Sequence, residues 1–198
     1  LSMTQIDLII AIGHLLAETS GIQKRQEVIQ ALGELCTYRH LMRASIQASE
    51  ANTRPSFSGM IRPGLSPERR GLVAMTSERF VTLIEHIATS SIIFLPNADD
   101  FDNPNIKKHL DRYWVGRKSS PEDRVRLCKL AWDLTGDGYG SRQQMYDRLH
   151  SGNPMGMIEA AYRTMDMSDG LEMVRELCDL ETPVADSFPF VQEDATEG

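Results

Sequence analysis

QKRQEVIQALGELCTYRHLMRASIQASEAN, residues 23–52, is the stretch on which the fold reading turns. Val28, Ile29, Leu32, Leu35, Cys36 and Met42, with Ala44 and Ala48, recur three and four residues apart and trace one side of a helix of about eight turns. A helix of that length is stabilised mainly by laying its apolar face on other helices, which predicts a bundle.

Reading outward, the flanks supply the other members. Upstream, Thr4 followed by Asp7 reads as a capping box, apolar residues run to Leu16, and Gly21 offers a stop. Downstream, residues 53–75 carry Arg54-Pro55-Ser56-Phe57-Ser58-Gly59, Pro63 and Pro67, an expected long irregular connection of the sort that covers a partner domain or subunit. Phe80, Leu83, Ile84 and Ile87 mark a further amphipathic helix that ends before Pro96. Ser120-Pro121-Glu122-Asp123 combines a capping serine, a first-turn proline and two acids at the positive end of a helix dipole. The helix it opens holds Val125, Leu127, Leu130, Ala131 and Leu134. Gly136, Gly138 and Gly140 then interrupt the pattern, helix resumes at Ser141 to about Leu149, and Leu171, Val174, Leu177 and Cys178 form a short last segment. With no alternating strand pattern, the expected fold is all-α: a four-helix up-down bundle with extra short helices over 1–182, and an acidic flexible tail over 183–198.

Composition narrows the function. The 198 residues are 41% hydrophobic and 25% charged, enough for one sizeable core. The longest apolar run, Leu8 to Ile12, is far below the roughly 20 residues of a membrane span, and no signal peptide is legible, so a soluble cytoplasmic protein is expected. A formal charge of −7 argues against nucleic acid as partner. Cys36, Cys128 and Cys178 show no metal-ligand spacing and read as reduced core residues, with no metal expected. His14, His40, His86, His109 and His150 lie beside no nucleophile or second ligand in sequence; Tyr113-Trp114 reads as aromatic packing, and Met60, Met155 and Met157 as interface contacts.

The stretch most suggestive of chemistry is Trp132-Asp133-Leu134-Thr135-Gly136-Asp137-Gly138-Tyr139-Gly140-Ser141-Arg142-Gln143. Each glycine costs about 1 kcal/mol against alanine inside a helix, so something must offset it. One reading is close backbone approach to a bulky ligand, with Arg142 and a helix N-terminus facing an anion; the other is an interhelix turn with a surface arginine.

Residues 137–143, with Tyr146 and Arg148, resemble the Phe-Gly-Gly-Arg-His/Gln motif and trailing Tyr-Glu of the 4-hydroxyphenylacetate 3-hydroxylase large-component family. Ser91-Ile92-Ile93-Phe94-Leu95-Pro96, Asp99-Asp100-Phe101, Asn103-Pro104 and Arg112-Tyr113-Trp114-Val115-Gly116 resemble further segments of that family, as do Gly33-Glu34-Leu35 and Arg39 upstream, over roughly residues 5 to 180. Two departures stand out: Ser141 replaces the family's second glycine, and Gln143 stands where some members have histidine.

The resemblance implies an acyl-CoA dehydrogenase-like C-terminal helical domain, with the N-terminal helical and middle β domains of the family absent from this chain. It implies FAD, reduced by a separate flavin reductase, and ortho-hydroxylation of 4-hydroxyphenylacetate or a related phenol with O2. By the same resemblance Gly138, Gly140, Ser141, Arg142 and Gln143, with Arg39, line part of the flavin site; no catalytic residue is assigned here, and a homodimer or homotetramer is implied. The alternatives are a flavin-dependent hydroxyacyl-CoA dehydratase relative, whose iron–sulfur ligands find no matching His/Cys pair here, and a non-enzymatic helical interaction domain.

Overall fold

The computed structural model describes residues 3–64, 67–150 and 152–181; the expected tail over 183–198 lies outside the described residues. In chain order these form α1 (Met3–Ser20), α2 (Gln26–Ala51), a two-residue strand pair β1 (Arg54–Pro55) and β2 (Ile61–Arg62), and α3 (Pro67–Ala88), which runs into a 3₁₀ turn at Thr89–Ile92. There follow α4 (Ala98–Asp102), α5 (Pro104–Tyr113), α6 (Pro121–Thr135), α7 (Gly138–Leu149), α8 (Pro154–Arg163) and α9 (Ser168–Cys178).

Residue pairs fix the helix directions. Asp7 meets Arg39 and Gly13 lies beside Leu32, so α1 and α2 run antiparallel. Glu34 meets Arg79, and Glu27 shares a surface hollow with His86, so α2 and α3 are antiparallel. Thr19 at the end of α1 accepts from the Arg117 amide just ahead of α6, at 2.8 Å, which sends α6 back along α1. The bundle is therefore up-down-up-down through α1, α2, α3 and α6, as the sequence implies. Its core joins Ile6, Ile12 and Leu16 to Val28, Leu35 and Met42, to Phe80, Ile84 and Ile87, and to Cys128 and Ala131. Each such large side chain contributes about 1.5–3 kcal/mol on burial.

Local chemistry sets the ends. Gly21 (φ +73) closes α1 in a Schellman arrangement: its amide donates to Glu18 O at 3.0 Å and the Ile22 amide to Ala17 O at 2.9 Å. Ser120 caps α6 by accepting from the Asp123 amide at 3.1 Å. Five readings need correction. Helix α1 is already running at Met3, so Thr4 is no cap, and Asp7 is held by Arg39. The connection after α2 ends at Pro67, a first-turn proline, and contains a strand pair closed by Gly59 (φ +79), where no strand was expected. On α2 the buried positions are Val28, Ala31, Leu35, Met42 and Ser49, a seven-residue stripe, whereas Ile29, Ala44 and Ala48 face outward. Cys178 is exposed rather than core, and Met157 is buried rather than presented at a surface.

Two polar clamps tie the first three helices. Arg39 donates through Nε and Nη2 to Asp7 at 2.5 and 3.3 Å, and Arg79 donates to Glu34 at 2.7 and 2.9 Å while the Tyr38 hydroxyl donates to the same carboxylate at 2.6 Å. The hydrogen bonds from Arg39 and from Arg79 hold Asp7 and Glu34 below the usual carboxylate range, and Glu34 in turn pushes the Tyr38 phenol up. A carboxyl whose pKa is lowered by folding stabilises the fold above its unfolded value and loses that contribution as pH falls through the folded one. The urea midpoint should therefore decline as pH drops below about 4, and Glu34→Gln should lower the midpoint at pH 7 while making the acid decline shallower. An unchanged acid limb in the variant would remove the Glu34 clamp from the account.

Candidate functional site

The glycine-rich turn joins α6 to α7 by close helix contact. Asp137 caps α7 by accepting from the Tyr139 amide at 2.9 Å, so helix resumes at Gly138, three residues earlier than expected. Gly140 is buried, and a Cβ there would lie 2.1 Å from the Asp133 carbonyl oxygen. A Cβ on Gly136 would meet the Trp132 ring at 2.3 Å, while Gly138 has open space around it. Two of the three glycines thus serve approach to the chain itself. Ser141 Oγ donates to Thr135 O at 3.3 Å, and the Gln144 carboxamide donates to Leu134 O and, at 3.4 Å, to Thr135 O. These bonds satisfy carbonyls that the end of α6 leaves open. Gln5 to Asp147 (2.8 Å) and an ion pair between Arg148 and Glu78 fasten the rest of α7 to α1 and α3.

What remains outward is a short row of donors. Gly138, Tyr139, Ser141, Arg142 and Gln143 are exposed; Arg142 Nε donates to Gly138 O at 3.2 Å and Gln143 to Asp147 at 3.2 Å. The amides of the first helical turn have no intrahelical acceptor and carry the positive end of the dipole. Arg39 stands apart from this row. It is held by Asp7, whereas Gln5, which reaches α7, lies two residues away on α1 and so about 200° round that helix.

Beside the turn lies a groove of about 830 Å³ that sequence reading did not single out as a site. Ile92, Leu95 and Phe101 form one wall; Val125 and Trp132 on α6 form the other, with Lys129 and Asp133 also lining it. Thr89, at φ +54, turns the chain out of α3 into the first wall. Lys107 closes α5 onto α6 through Glu122 at 2.9 Å and lies 5.7 Å from the Phe101 ring. Lys129 is paired with Asp133 at 2.5 Å, which raises the lysine's pKa. Apolar walls, a few charged groups and this volume are the usual makings of a small-molecule or cofactor site. Trp132 and Asp133, the last groove residues on α6, are also the groups that a Cβ on Gly136 or Gly140 would strike, so the groove ends close to the glycine turn, although no residue of 136–143 lines it. The sequence signals for the groove were separate, the 91–101 resemblance on one wall and Trp132-Asp133 on the other, because the walls lie about thirty residues apart in the chain.

This architecture is that of an acyl-CoA dehydrogenase-like helical domain. The chain belongs to the HpaB family, 4-hydroxyphenylacetate 3-hydroxylase C terminal, which matches residues 2–179. It is 28% identical over 182 residues to the probable 4-hydroxyphenylacetate 3-monooxygenase of Bacillus subtilis (strain 168), covering 91% of this chain and 38% of that protein. The crystal structure of the oxygenase component (HpaB) of 4-hydroxyphenylacetate 3-monooxygenase complexed with FAD matches with a TM-score of 0.79 at 26% identity, over 88% of this chain and 37% of the other. The oxygen-tolerant archaeal 4-hydroxybutyryl-CoA dehydratase from N. maritimus also matches at a TM-score of 0.79, at 20% identity over 94% of this chain and 38% of the other, a likeness of fold alone. The chain thus spans under two fifths of the length of these relatives. Among the described residues no helix is long and apolar enough to cross a membrane.

The turn makes a sharp prediction. Gly140→Ala should destabilise the chain by roughly 1–3 kcal/mol through overpacking against the Asp133 carbonyl, while Gly138→Ala should be near neutral or slightly stabilising. Urea titration of both variants reads the difference; equal effects would contradict the close α6–α7 contact.

Proposed function

We propose that this chain forms the helical wall of a flavin site in a reduced-flavin-dependent aromatic monooxygenase, with 1–182 acting as the flavin-organising and oligomerisation domain. The observation that carries the reading is the exposed donor row at the start of α7, a few residues after Trp132 and Asp133, which end a groove of mixed apolar and charged lining. The relative of the same fold solved with FAD supports the choice of cofactor.

The donors present fit such a group. Helix-terminal amides and the Arg142 guanidinium suit a phosphate or the polar edge of a ring, and the exposed Tyr139 offers an aromatic face. Asp137 already takes one of the amides, which limits how much anionic charge the turn accepts. Gly138, Gly140, Ser141, Arg142 and Gln143 are assigned to this wall, Gly140 and Ser141 chiefly by holding α7 in place; Arg39 is assigned a supporting role on α2. Reduced FAD, delivered by a separate flavin reductase, would supply two electrons to O2, one oxygen atom of which would enter ortho to the phenol's own hydroxyl while the other leaves as water. The chain's own part is to hold the cofactor, set its orientation and keep water out. No residue of this chain is assigned to binding the phenol.

The same reading includes self-assembly into a homodimer or homotetramer. Ile29 and Leu41, 50% and 49% exposed on the outer side of α2, together with the exposed Gly33 Cα, leave that helix an uncovered apolar and small-residue face. A monomeric mass in sedimentation velocity would overturn the assembly. For the flavin site, anaerobic titration of the full-length protein with reduced FAD should give an affinity that Arg142→Ala weakens by about tenfold or more, the worth of a charge-assisted hydrogen bond. Equal affinities would remove Arg142 from the site, and no affinity in either protein would sink the flavin reading.

A further inference from the structure

Ser77 on α3 is 8% exposed, and its hydroxyl has no hydrogen-bond partner among the protein groups around it. Its neighbour Thr76 follows the habit of helical hydroxyls by donating to the carbonyl four residues back, Leu72 O, at 2.7 Å. Ser77 instead lines a cavity of about 40 Å³ at the junction of α1, α3, α6 and α7, shared with Ile12, Phe80, Ala131, Thr135, Gln144 and Gln5, whose nitrogen donates to Asp147.

Size and chemistry decide what belongs there. The cavity has room for one or two water molecules and is far below the roughly 150 Å³ that admits a benzene ring. Apolar walls alone would favour a dry cavity open to xenon or dioxygen, but neither can match a buried hydroxyl. The polar groups are complementary to a water. Thr135 Oγ1 spends its proton on Ala131 O at 2.8 Å and keeps lone pairs; the Gln144 carboxamide spends its nitrogen on the carbonyls of Leu134 and Thr135 and keeps its oxygen. A water accepting from Ser77 Oγ would have Thr135 Oγ1 and the Gln144 carboxamide oxygen, on residues lining the same cavity, as candidate acceptors for its own two protons.

We infer that this junction is a buried water-binding site, in which a single water hydrogen-bonded by Ser77, Thr135 and Gln144 fastens α7 to α3 and α6. Ser77 is then a positioning residue for α7. The site stands on these contacts alone and does not depend on the flavin reading.

Crystals of the full chain, native and xenon-pressurised, test it. The native protein should show an ordered water bonded to Ser77 Oγ and should exclude xenon; Ser77→Ala should lose the water and admit xenon. In solution the same variant should speed amide exchange in α7 by about fivefold, the equivalent of one net hydrogen bond, and leave α2 unchanged. Xenon entering the native cavity, a cavity without water, or a Ser77 hydroxyl turned onto the Val73 carbonyl would each overturn the site. Should Ser77→Ala fail to fold, the two native crystals decide alone.

Discussion

Phe80 is 1% exposed and sits where the helices meet: its ring takes an edge-on contact from Tyr38 of α2, with centroids 5.8 Å apart, and it lines the small cavity shared with α1, α6 and α7. α3 therefore has to be apolar on more than one side, and the other helices arrange around it. The Glu34–Arg79–Tyr38 clamp and the Asp7–Arg39 pair lie at the solvent margins of this seam. They set register at modest energetic return, as exposed ion pairs do; the apolar seam carries the stability.

A second constraint, at the end of α6, shapes the candidate site. The last turn of any helix leaves carbonyls unpaired, and here α7 supplies Ser141 and Gln144 to meet them. That is feasible only because residue 140 has no side chain to strike the Asp133 carbonyl. Once α7 is seated, its first turn and Arg142 face outward beside the groove lined by Trp132. Large apolar side chains elsewhere, Phe57 on the strand-pair loop, Phe94 beyond the 3₁₀ turn and Leu177 on α9, also face outward.

The bundle was legible because its determinants are local and periodic: the α2 stripe, the Gly21 stop and the Ser120-Pro121 start each act within a turn or two. The errors have physical reasons. Pro67 signals a loop and a helix first turn equally well, which hid the beginning of α3. Thr4 and Asp7 have capping-box spacing, yet Asp7 is claimed by Arg39, thirty-two residues away, a tertiary fact that spacing does not carry. The glycine triplet was legible as a costly feature, but its partner was not: the close approach at Gly140 is to the chain's own carbonyl. The groove was not legible as a single site because the 3₁₀ turn and α6 come together only in three dimensions.

The central claim is that the α7 first turn and the adjoining groove face a flavin. A structure of the full-length protein crystallised with FAD tests it most directly. The account predicts FAD in contact with Arg142 and the Gly138–Tyr139 turn, against a second copy of the chain or another domain. FAD bound with no atom of residues 138–143 in contact would contradict it.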